Sequence, residues 1–412
     1  MVLTAIAILV PACIVGSSSI EGDDAVVPDG GATGSPAGTP SGTPDGNPGG
    51  TARCSLAPAS FQAELAAAVT ANAGEGGGIL RVECDDGTLL WEGAAGKVAQ
   101  DNPTALAPGD AFEIQSTTKA LTAALALTFV DEGRISLDTR LDAVLPATDT
   151  QGLLVIGGHD YGPELTLRQL LQHTAGLPDY WNDGPFDGND ENVFQRAYNA
   201  DDNRLFQPRE LLAYARQLTP IARPGIAHHY SDTGYVLVGL VTEALGGKPY
   251  HELLRERIFT PLGMRNTYLR YRETPSPEPV VTAWYDAGAL VAGLRHQTAD
   301  WAGGGLVSTA ADLAKFARGL AHGAVVRPAT LAAMRAFGPT DVAGIDYGLG
   351  LYRVDYAKFD EPERGAWEGH DGYGNAFMYT MKPGIVVTGT LNSAQADWGT
   401  MAEKVQAAFL TR

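Results

Sequence analysis

Ser116-Thr117-Thr118-Lys119 stands directly before an alanine- and leucine-rich run that continues to Asp131. The run predicts a buried helix, and residues three apart on a helix lie on the same face, which would bring the Lys119 amine beside the Ser116 hydroxyl. The start of a helix also favours developing negative charge. A neutral Lys119 amine could then act as a general base for Ser116, although a serine and a lysine at this spacing more often mark a solvated helix face.

The second motif, Tyr230-Ser231-Asp232, lies between a turn-forming segment, 223–225, and a predicted helix that begins near position 233. A tyrosine on such a rigid loop can relay protons between a nucleophile and a leaving group. The commoner fate of a tyrosine is that its ring is half buried and its hydroxyl caps a neighbouring group. This motif therefore indicates catalysis only when it is taken together with the serine motif.

The third motif, His370-Asp371-Gly372, lies between strand-like segments near the C-terminus. A glycine at such a place suits a close approach of the backbone to a ligand, whereas a lone histidine near a strand end is usually structural. Three short motifs in this order and at these separations describe an active-site serine enzyme.

Strand-like segments occur at both ends of the chain. A predicted helix at 61–73 leads into a hairpin at 79–83 and 89–92, and near the C-terminus strands are predicted at 347–355, 375–381 and 384–391, before a helix at 397–410. Between these ends the pattern is mostly helical. We therefore predict an α/β (α+β) fold, in which one antiparallel sheet is built from both termini, is flanked by helices and contains an all-helical insertion.

Length, composition and charge limit the possible functions. A chain of 412 residues with 44% hydrophobic residues can bury a large core, but it exceeds what one core normally holds, so two packed subdomains are expected. The formal net charge of −19 argues against sequence-independent binding of nucleic acid or anionic lipid. We predict no nucleic-acid partner.

The first 53 residues differ from the rest of the chain. Residues 1–13 are apolar and resemble a secretory signal that ends in a lipobox-like segment, with Cys13 as the residue to be lipidated, although no Lys or Arg precedes Arg53. Residues 14–53 are rich in Gly, Pro, Ser and Thr and read as a disordered tether. The predicted hydrolase domain is 54–412, with an α/β part at about 54–116 and 300–412 and a helical part at about 117–299. A disordered leader without an anchor is the alternative.

Two cysteines, Cys54 and Cys84, remain if Cys13 is removed or lipidated. An even pair suits an oxidising compartment, so we predict a disulfide that joins the first helix to the first strand. The alternative is that both are unpaired small hydrophobic residues.

Further segments resemble the β-lactamase-like serine hydrolases, a family that includes class C β-lactamases, DD-peptidases, esterases and D-aminopeptidases. The segments at 170–177, 259–264 and 304–313 match the family patterns LLxHTSGL, xxPLGM and GGLxSTxxDL. The resemblance covers roughly 61–410. It implies the β-lactamase/transpeptidase-like fold.

The resemblance also implies roles for individual residues. Ser116 would be the nucleophile that forms an acyl-enzyme, Lys119 its base partner and Tyr230 the proton shuttle. The oxyanion hole would be the backbone N–H groups of Ser116 and Tyr373, and His370 would take the place that a lysine usually holds in β-lactamases. The matched segments at 170–177 and 304–313 also contain a histidine and an aspartate, His173 and Asp312, which we assign to fold support.

The substrate-binding group implied by the resemblance comprises Asp232, His370, Asp371 and Gly372. Asp232 stands where many members have asparagine, and Asp371 where they have threonine or serine. Two acids would repel a substrate carboxylate, which predicts neutral esters or amides, or substrates with a free amine. On this hypothesis, Asp232→Asn should improve turnover of carboxylate substrates. Because side chains alternate along a strand, Asp371 could also face away from the cavity.

The sequence therefore predicts an exported serine hydrolase of the cell envelope, or a secreted one, that acts on a small-molecule or peptide substrate. D-alanyl-D-alanine carboxypeptidase and class C-like β-lactamase activities are alternatives within the family, and a non-catalytic envelope-binding protein is the alternative from another class. We predict a monomer, with membrane contact only through a lipid at Cys13. No G-x-S-x-G elbow, zinc-protease motif or EF-hand loop is present, so neither a metal nor another cofactor is predicted.

Overall fold

The computed structural model of the protein describes most of the predicted hydrolase domain, namely residues 60–71, 76–188, 190–273, 275, 279–283, 285–286, 289–290, 295–373, 375–393 and 396–410. The predicted signal and tether, together with Cys13 and Cys54, lie outside the described residues. Within those ranges, no helix combines the length and the apolar character needed to pass through a bilayer.

The strands of the described ranges form one large and three small sheets, all antiparallel. In chain order they are β1 (Gly77–Cys84), β2 (Leu89–Gly96), β3 (Phe112–Glu113), β4 (Val155–Ile156), β5 (His159–Asp160), β6 (Tyr268–Leu269), β7 (Tyr285–Asp286), β8 (Ala289–Leu290), β9 (Leu306–Ser308), β10 (Gly338–Pro339), β11 (Ile345–Tyr347), β12 (Tyr352–Asp355), β13 (Ala366–Asp371), β14 (Ala376–Met381) and β15 (Ile385–Thr390).

The α-helices of the same ranges lie mostly between the two halves of the large sheet. In chain order they are α1 (Ser60–Ala71), α2 (Thr118–Asp131), α3 (Ala147–Thr150), α4 (Leu167–Leu171), α5 (Val193–Asn199), α6 (Pro208–Ala215), α7 (Asp232–Gly246), α8 (Tyr250–Leu254), α9 (Thr260–Leu262), α10 (Trp301–Gly304), α11 (Ala310–Ala321), α12 (Pro328–Met334) and α13 (Trp398–Leu410).

The large sheet joins both ends of the domain. Its strand order is β10-β11-β12-β13-β14-β15-β1-β2, so the N-terminal hairpin meets the C-terminal strands through the β1–β15 pair. In that pair Ile79 lies opposite Thr390, and Cys84 lies opposite Ile385. The prediction of an α/β (α+β) fold with one antiparallel sheet built from both termini is confirmed.

Helices cover both faces of the large sheet. On one face, α1 and α13 pack over a core that contains Trp367, Phe377 and Trp398. On the other face, α2 and α11 pack against the sheet, and α2 in turn contacts α7 and α10. Nearly every side chain of α2 is buried, as the apolar run after the serine motif predicts. A helix buried on all sides is a rigid support for groups at its N-terminus.

The segment 347–355, predicted as one strand, is two strands joined by a turn. The Gly348 N–H donates to the Leu351 carbonyl at 2.8 Å, and Gly350 has a positive φ of 79°. A β-carbon on Gly350 would lie 2.5 Å from the Ala123 β-carbon, so this glycine lets the turn pack on α2. Leu349 and Leu351, which lie in the turn, are also buried. The sequence is therefore apolar through the turn, and its pattern does not show where one strand ends and the next begins.

Cys84 is buried at the end of β1. Its predicted disulfide partner, Cys54, lies outside the described residues, so the Cys54–Cys84 bridge stays a prediction.

Candidate active site

Ser116 lies in a single 3₁₀ turn, Gln115–Thr117, that leads directly into α2. Its Oγ is 3.0 Å from Lys119 Nζ, and the Lys119 side chain is fully buried. The preceding Gln115 has a positive φ of 46°, a conformation that is costly for a residue with a β-carbon and that clusters at functional sites. The structure thus brings Ser116 and Lys119 together where the chain turns into a buried helix.

Lys119 Nζ has three acceptors around it. Besides Ser116 Oγ, it contacts the Gly303 carbonyl oxygen at 2.9 Å and Asp232 Oδ1 at 2.5 Å. In an ammonium, each of the three N–H groups would have an acceptor. In a neutral amine, the two N–H groups could donate to Gly303 and Asp232, which leaves the lone pair for the Ser116 hydroxyl. The arrangement can hold both of the states through which a general base passes.

Tyr230 lies in the loop before α7, and its hydroxyl forms a hydrogen bond with Ser116. Lys119 Nζ is 4.7 Å from the centre of its ring. Burial, followed by the charge of Asp232, raises the pKa of Tyr230 well above its usual value, against an opposing effect of the hydrogen bond to Ser116. A neutral hydroxyl in this position can pass a proton between the nucleophile and a leaving group. The three side chains predicted to be catalytic therefore meet in one cluster.

Asp232 has a different position from the one predicted. It was placed in the substrate-binding group, but its carboxylate is directed at Lys119. Its backbone N–H donates to the buried carboxylate of Asp179 at 3.1 Å, which fixes the first turn of α7 beside α2. Because Lys119 compensates its charge, Asp232 is not by itself a free negative charge that a substrate would meet.

Two further carboxyl groups, those of Asp179 and Asp300, surround this ion pair. Burial, together with the charge of Asp232, raises the pKa of both, to about 7 in Asp300. A β-carbon added at Gly304 would be 3.1 Å from Asp300 Cβ and 3.4 Å from the Gln115 carbonyl carbon, so Asp300 and the Gln115–Thr117 turn, called here the nucleophile turn because it carries the predicted nucleophile, both lie close to Gly304. No motif marked Asp300 in the sequence. Within the described ranges, no group of three or more His, Cys, Asp or Glu side chains is arranged to hold a metal ion.

His370 does not replace the binding lysine as predicted. Its side chain is fully buried, with Nε2 accepting from the Tyr347 hydroxyl at 3.1 Å and Nδ1 donating to the Asp371 carbonyl at 2.7 Å. Its ring also packs against Tyr352, with centroids 4.8 Å apart. Burial, and then the charge of Lys119, lowers the pKa of His370 to about 3. His370 is therefore a neutral residue enclosed by tyrosines, and it offers no positive charge to a substrate.

Asp371 is not placed to contact a substrate, which corrects its predicted assignment. Side chains alternate along β13, so Asp371 points to the opposite face from His370. Its carboxylate accepts a hydrogen bond from the Tyr379 hydroxyl at 3.0 Å and also interacts with Trp398 of α13. Burial raises the pKa of Asp371 to about 6. The residue belongs to the core beneath α13.

Gly372 lies against the turn that carries Ser116. A β-carbon added at Gly372 would be 2.6 Å from Gln115 Cβ and 3.1 Å from the Ser116 backbone nitrogen. Only glycine allows the end of β13 to approach the turn this closely. The next residue, Tyr373, is 41% exposed. The backbone N–H groups of Ser116 and Tyr373 stay a predicted pair of oxyanion donors, which this close approach supports.

His173, assigned to fold support, lies directly on the catalytic cluster. Its ring stacks on that of Tyr230, with centroids 4.1 Å apart. Asp312, assigned in the same way, is buried and accepts from the Asn266 backbone at 2.8 Å and from the Thr267 hydroxyl at 3.2 Å. Of these two motif residues, only His173 contacts one of the three catalytic side chains.

Comparisons with known proteins agree with this geometry. Residues 66–408 match a family model described as beta-lactamase. The chain is 28% identical over 245 residues to penicillin-binding protein 4 of Amycolatopsis lactamdurans, a match that covers 56% of this chain and 55% of that protein. The structure of a D-stereospecific amidohydrolase from a Streptomyces species is 26% identical, with a TM-score of 0.68 over 84% of this chain and 98% of the other.

Two limits of these comparisons concern the length and the assembly. The chain spans about half or less of the length of the curated relatives that it matches, with shares of 38%, 55% and 42% in three of them. An octameric penicillin-binding protein homologue from Pyrococcus abyssi shares the fold at 23% identity, with a TM-score of 0.70 over 85% of this chain and 77% of that one. The predicted monomer therefore stays a prediction.

Proposed function

Since the chain belongs to the β-lactamase family, we propose that it is a serine hydrolase that cleaves amide or ester bonds through an acyl-enzyme on Ser116. The observation that carries the proposal is the meeting of Ser116 Oγ, Lys119 Nζ and the Tyr230 hydroxyl in one partly buried cluster. A non-catalytic envelope-binding protein, the alternative from another class, would have no need of this complete set.

Acylation begins when Ser116 Oγ attacks the carbonyl carbon of the substrate. The hydroxyl proton passes to Lys119, and the oxygen of the tetrahedral intermediate accepts from the backbone N–H groups of Ser116 and Tyr373. One donor of this kind is worth about 3 to 4 kcal/mol of transition-state stabilisation. Tyr230 then gives a proton to the leaving amine or alcohol as its bond to carbon breaks, and regains one from Lys119.

Deacylation runs through the same groups in the reverse direction. A water molecule attacks the acyl carbon, its proton passes to the Tyr230–Lys119 pair, and Ser116 Oγ leaves with a returned proton. Because the Tyr230 hydroxyl and the Lys119 amine both interact with Ser116, the same pair can serve both halves of the reaction.

For the substrate, we propose amides or esters that lack a carboxylate beside the scissile bond and that carry a free amine. His370 is neutral where a β-lactamase would have a cation, which removes the usual partner of a substrate carboxylate. The Asp300 carboxyl next to the nucleophile turn would instead pair with a substrate ammonium once it is ionised. The name of the similar D-stereospecific amidohydrolase supports an amide substrate of this kind.

A D-alanyl-D-alanine carboxypeptidase is the second candidate, because the curated relatives include a putative D-alanyl-D-alanine carboxypeptidase of Escherichia coli. Its substrate ends in a carboxylate, which the neutral His370 cannot pair. We further propose that the protein is exported, either with a lipid on Cys13 or as a secreted protein, and that it acts as a monomer.

The experiment compares three substrates with the full chain and with Ser116→Ala. They are a D-amino acid p-nitroanilide with a free amine, its N-acetyl derivative and a D-Ala-D-Ala peptide. The expected order of kcat/KM is the free amine first and the peptide last, with no turnover by Ser116→Ala. Peptide cleavage as fast as amide cleavage would make the protein a carboxypeptidase, and equal turnover by Ser116→Ala would rule out the acyl-enzyme.

A further inference from the structure

His173 contacts the segment that carries Tyr230 in three ways. Its backbone carbonyl accepts from the His229 N–H at 2.8 Å, and its Nδ1 accepts from the Ser231 N–H at 3.0 Å. Its ring stacks on the Tyr230 ring at a centroid distance of 4.1 Å and an interplanar angle of 30°. His173 thus contacts the residue before Tyr230, the residue after it and the Tyr230 ring itself.

These contacts also fix the protonation of His173. Because Nδ1 accepts a hydrogen bond, the single proton of the neutral ring lies on Nε2. Burial, followed by the charges of His228 and Lys119, lowers the pKa of His173 well below its usual value. Nε2 is buried and has no hydrogen-bond partner among the described residues. A buried N–H without a partner is unfavourable, so the contacts that Nδ1, the ring face and the backbone carbonyl make with the Tyr230 segment, and not a hydrogen bond at Nε2, account for a histidine here.

The backbone of His173 permits this double use. Its φ is +55°, in the left-handed region that few side chains other than Asn, Asp and His adopt readily. In this conformation the carbonyl and the imidazole of one residue both contact residues 229–231.

We propose that His173 is a positioning residue that keeps the Tyr230 hydroxyl on Ser116. The inference deepens the proposed function and rests on it, since the effect of His173 passes through Tyr230. Loss of the stack would remove no reacting group, but it would let the Tyr230 ring rotate away from Ser116. A smaller fraction of bound substrate would then meet a correctly placed hydroxyl, so kcat falls more than KM rises.

Two variants separate the contacts, and a third is a control. His173→Asn keeps an acceptor for the Ser231 N–H and tolerates a positive φ, but it has no ring. His173→Phe keeps a ring and loses the acceptor. His228→Asn removes a neighbouring histidine whose ring is 5.9 Å from that of His173, and whose nitrogens have no hydrogen-bond partner within the described ranges. Each full-length variant is titrated with a fluorophosphonate, so that kcat refers to reactive Ser116.

In His173→Asn, kcat should fall at least ~10-fold with KM within ~3-fold of wild type, and His228→Asn should stay near wild type. In a Tyr230→Phe background, His173→Asn should cost less than ~2-fold, because its effect needs the hydroxyl. An unchanged kcat, or an equal loss in both backgrounds, would overturn the proposal. His173→Phe, which keeps the stack, should lose less kcat than His173→Asn. If His173→Asn does not fold, His173→Gly, which also lacks the ring and tolerates a positive φ, is compared in the same two backgrounds. A wild-type protein without Ser116-dependent turnover would instead refute the proposed function.

Discussion

The Asp232 carboxylate lies 2.5 Å from the Lys119 side-chain nitrogen, and both residues belong to the first turns of helices that pack against each other. Many members of the family have asparagine at position 232, which could accept a hydrogen bond but could not form an ion pair. The charge on Asp232 therefore acts first on the base of the reaction, and only through it on the substrate.

The first prediction concerns Asp232→Asn. Asparagine keeps the shape and an acceptor oxygen, but it removes the negative charge beside Lys119, so the site becomes more positive by one charge. The ratio of kcat/KM for a carboxylate-bearing ester to kcat/KM for its neutral analogue should therefore rise about tenfold. Asp371→Asn is the control, since Asp371 faces the other side of the sheet, and an unchanged ratio in Asp232→Asn would contradict the prediction.

The second prediction concerns Asp300 and pH. Burial and Asp232 raise the pKa of Asp300 to about 7, so its carboxyl is neutral below that pH and ionised above it. KM for an amine-bearing substrate should therefore fall as pH rises through about 7, while KM for the N-acetyl analogue should not. Asp300→Asn should abolish this step and raise KM for the amine about tenfold. Steady-state kinetics with both substrates at pH values on either side of about 7 test this prediction. If KM for the acetylated analogue shows the same change with pH, Asp300 is not the partner of the substrate amine.

The third prediction concerns stability. The pKa of Asp371 is raised to about 6 in the folded state and is near 3.8 in the unfolded state, so the folded protein holds this proton more tightly. The favourable contribution of Asp371 to the free energy of unfolding is fully present below about pH 3.8 and is lost as pH rises through about 6. Relative to wild type, Asp371→Asn should gain about 3 kcal/mol of unfolding free energy between about pH 4 and pH 8. Urea unfolding at several pH values measures this; a difference that does not change with pH would place Asp371 in contact with solvent.

The fourth prediction concerns the close approach at Gly372. In Gly372→Ala, the new β-carbon would lie 2.6 Å from Gln115 Cβ, so the strand end must move away from the Ser116 turn. The oxyanion donors would separate, and kcat should fall about 100-fold or more. In the control Gly338→Ala, the new β-carbon would meet no atom within 4 Å. Similar small losses in both variants would remove Gly372 from the site.

The fifth prediction concerns the cysteines. Peptide mapping of the oxidised protein without reductant should recover the Cys54 and Cys84 peptides joined. Reduction should lower the free energy of unfolding by about 3 kcal/mol, because the bridge restricts the unfolded chain. Recovery of the two peptides separately would contradict the predicted bridge.

The grouping of Ser116, Lys119 and Tyr230 could be predicted from the sequence because the spacing and the surroundings of these residues are local. Ser116 lies in the short turn that leads into α2, Lys119 lies in the first turn of α2, and Tyr230 precedes another helix. The sequence also predicted that Asp371 and His370 face opposite sides of the sheet, since side chains alternate along a strand. The His370-Asp371-Gly372 motif alone could not show whether His370 or Asp371 points toward the site.

Other features depend on contacts between distant segments, which a single sequence does not contain. Asp300 is placed by the packing of α10 on the nucleophile turn, and no pattern around it differs from an ordinary acidic residue. His173 lies in a motif that was recognised, but its stacking on Tyr230 forms only when two loops meet. The turn at Gly350 could not be predicted for the same reason. A glycine is needed there because the turn packs closely on α2, and not because of the residues beside it in the chain.

The pairing of β1 with β15 has a consequence for the timing of synthesis. The strand that starts the domain hydrogen-bonds to one near its end, and β13, which carries Gly372 to the nucleophile, is made late. Sheets closed by such distant partners form slowly, since the intervening chain must be ordered first. A ribosome-bound chain that lacks its last strands would carry Ser116, Lys119 and Tyr230 but no completed cleft. Hydrolysis should therefore begin only after the last strands of the large sheet have left the ribosome and paired, so the incomplete chain is inactive.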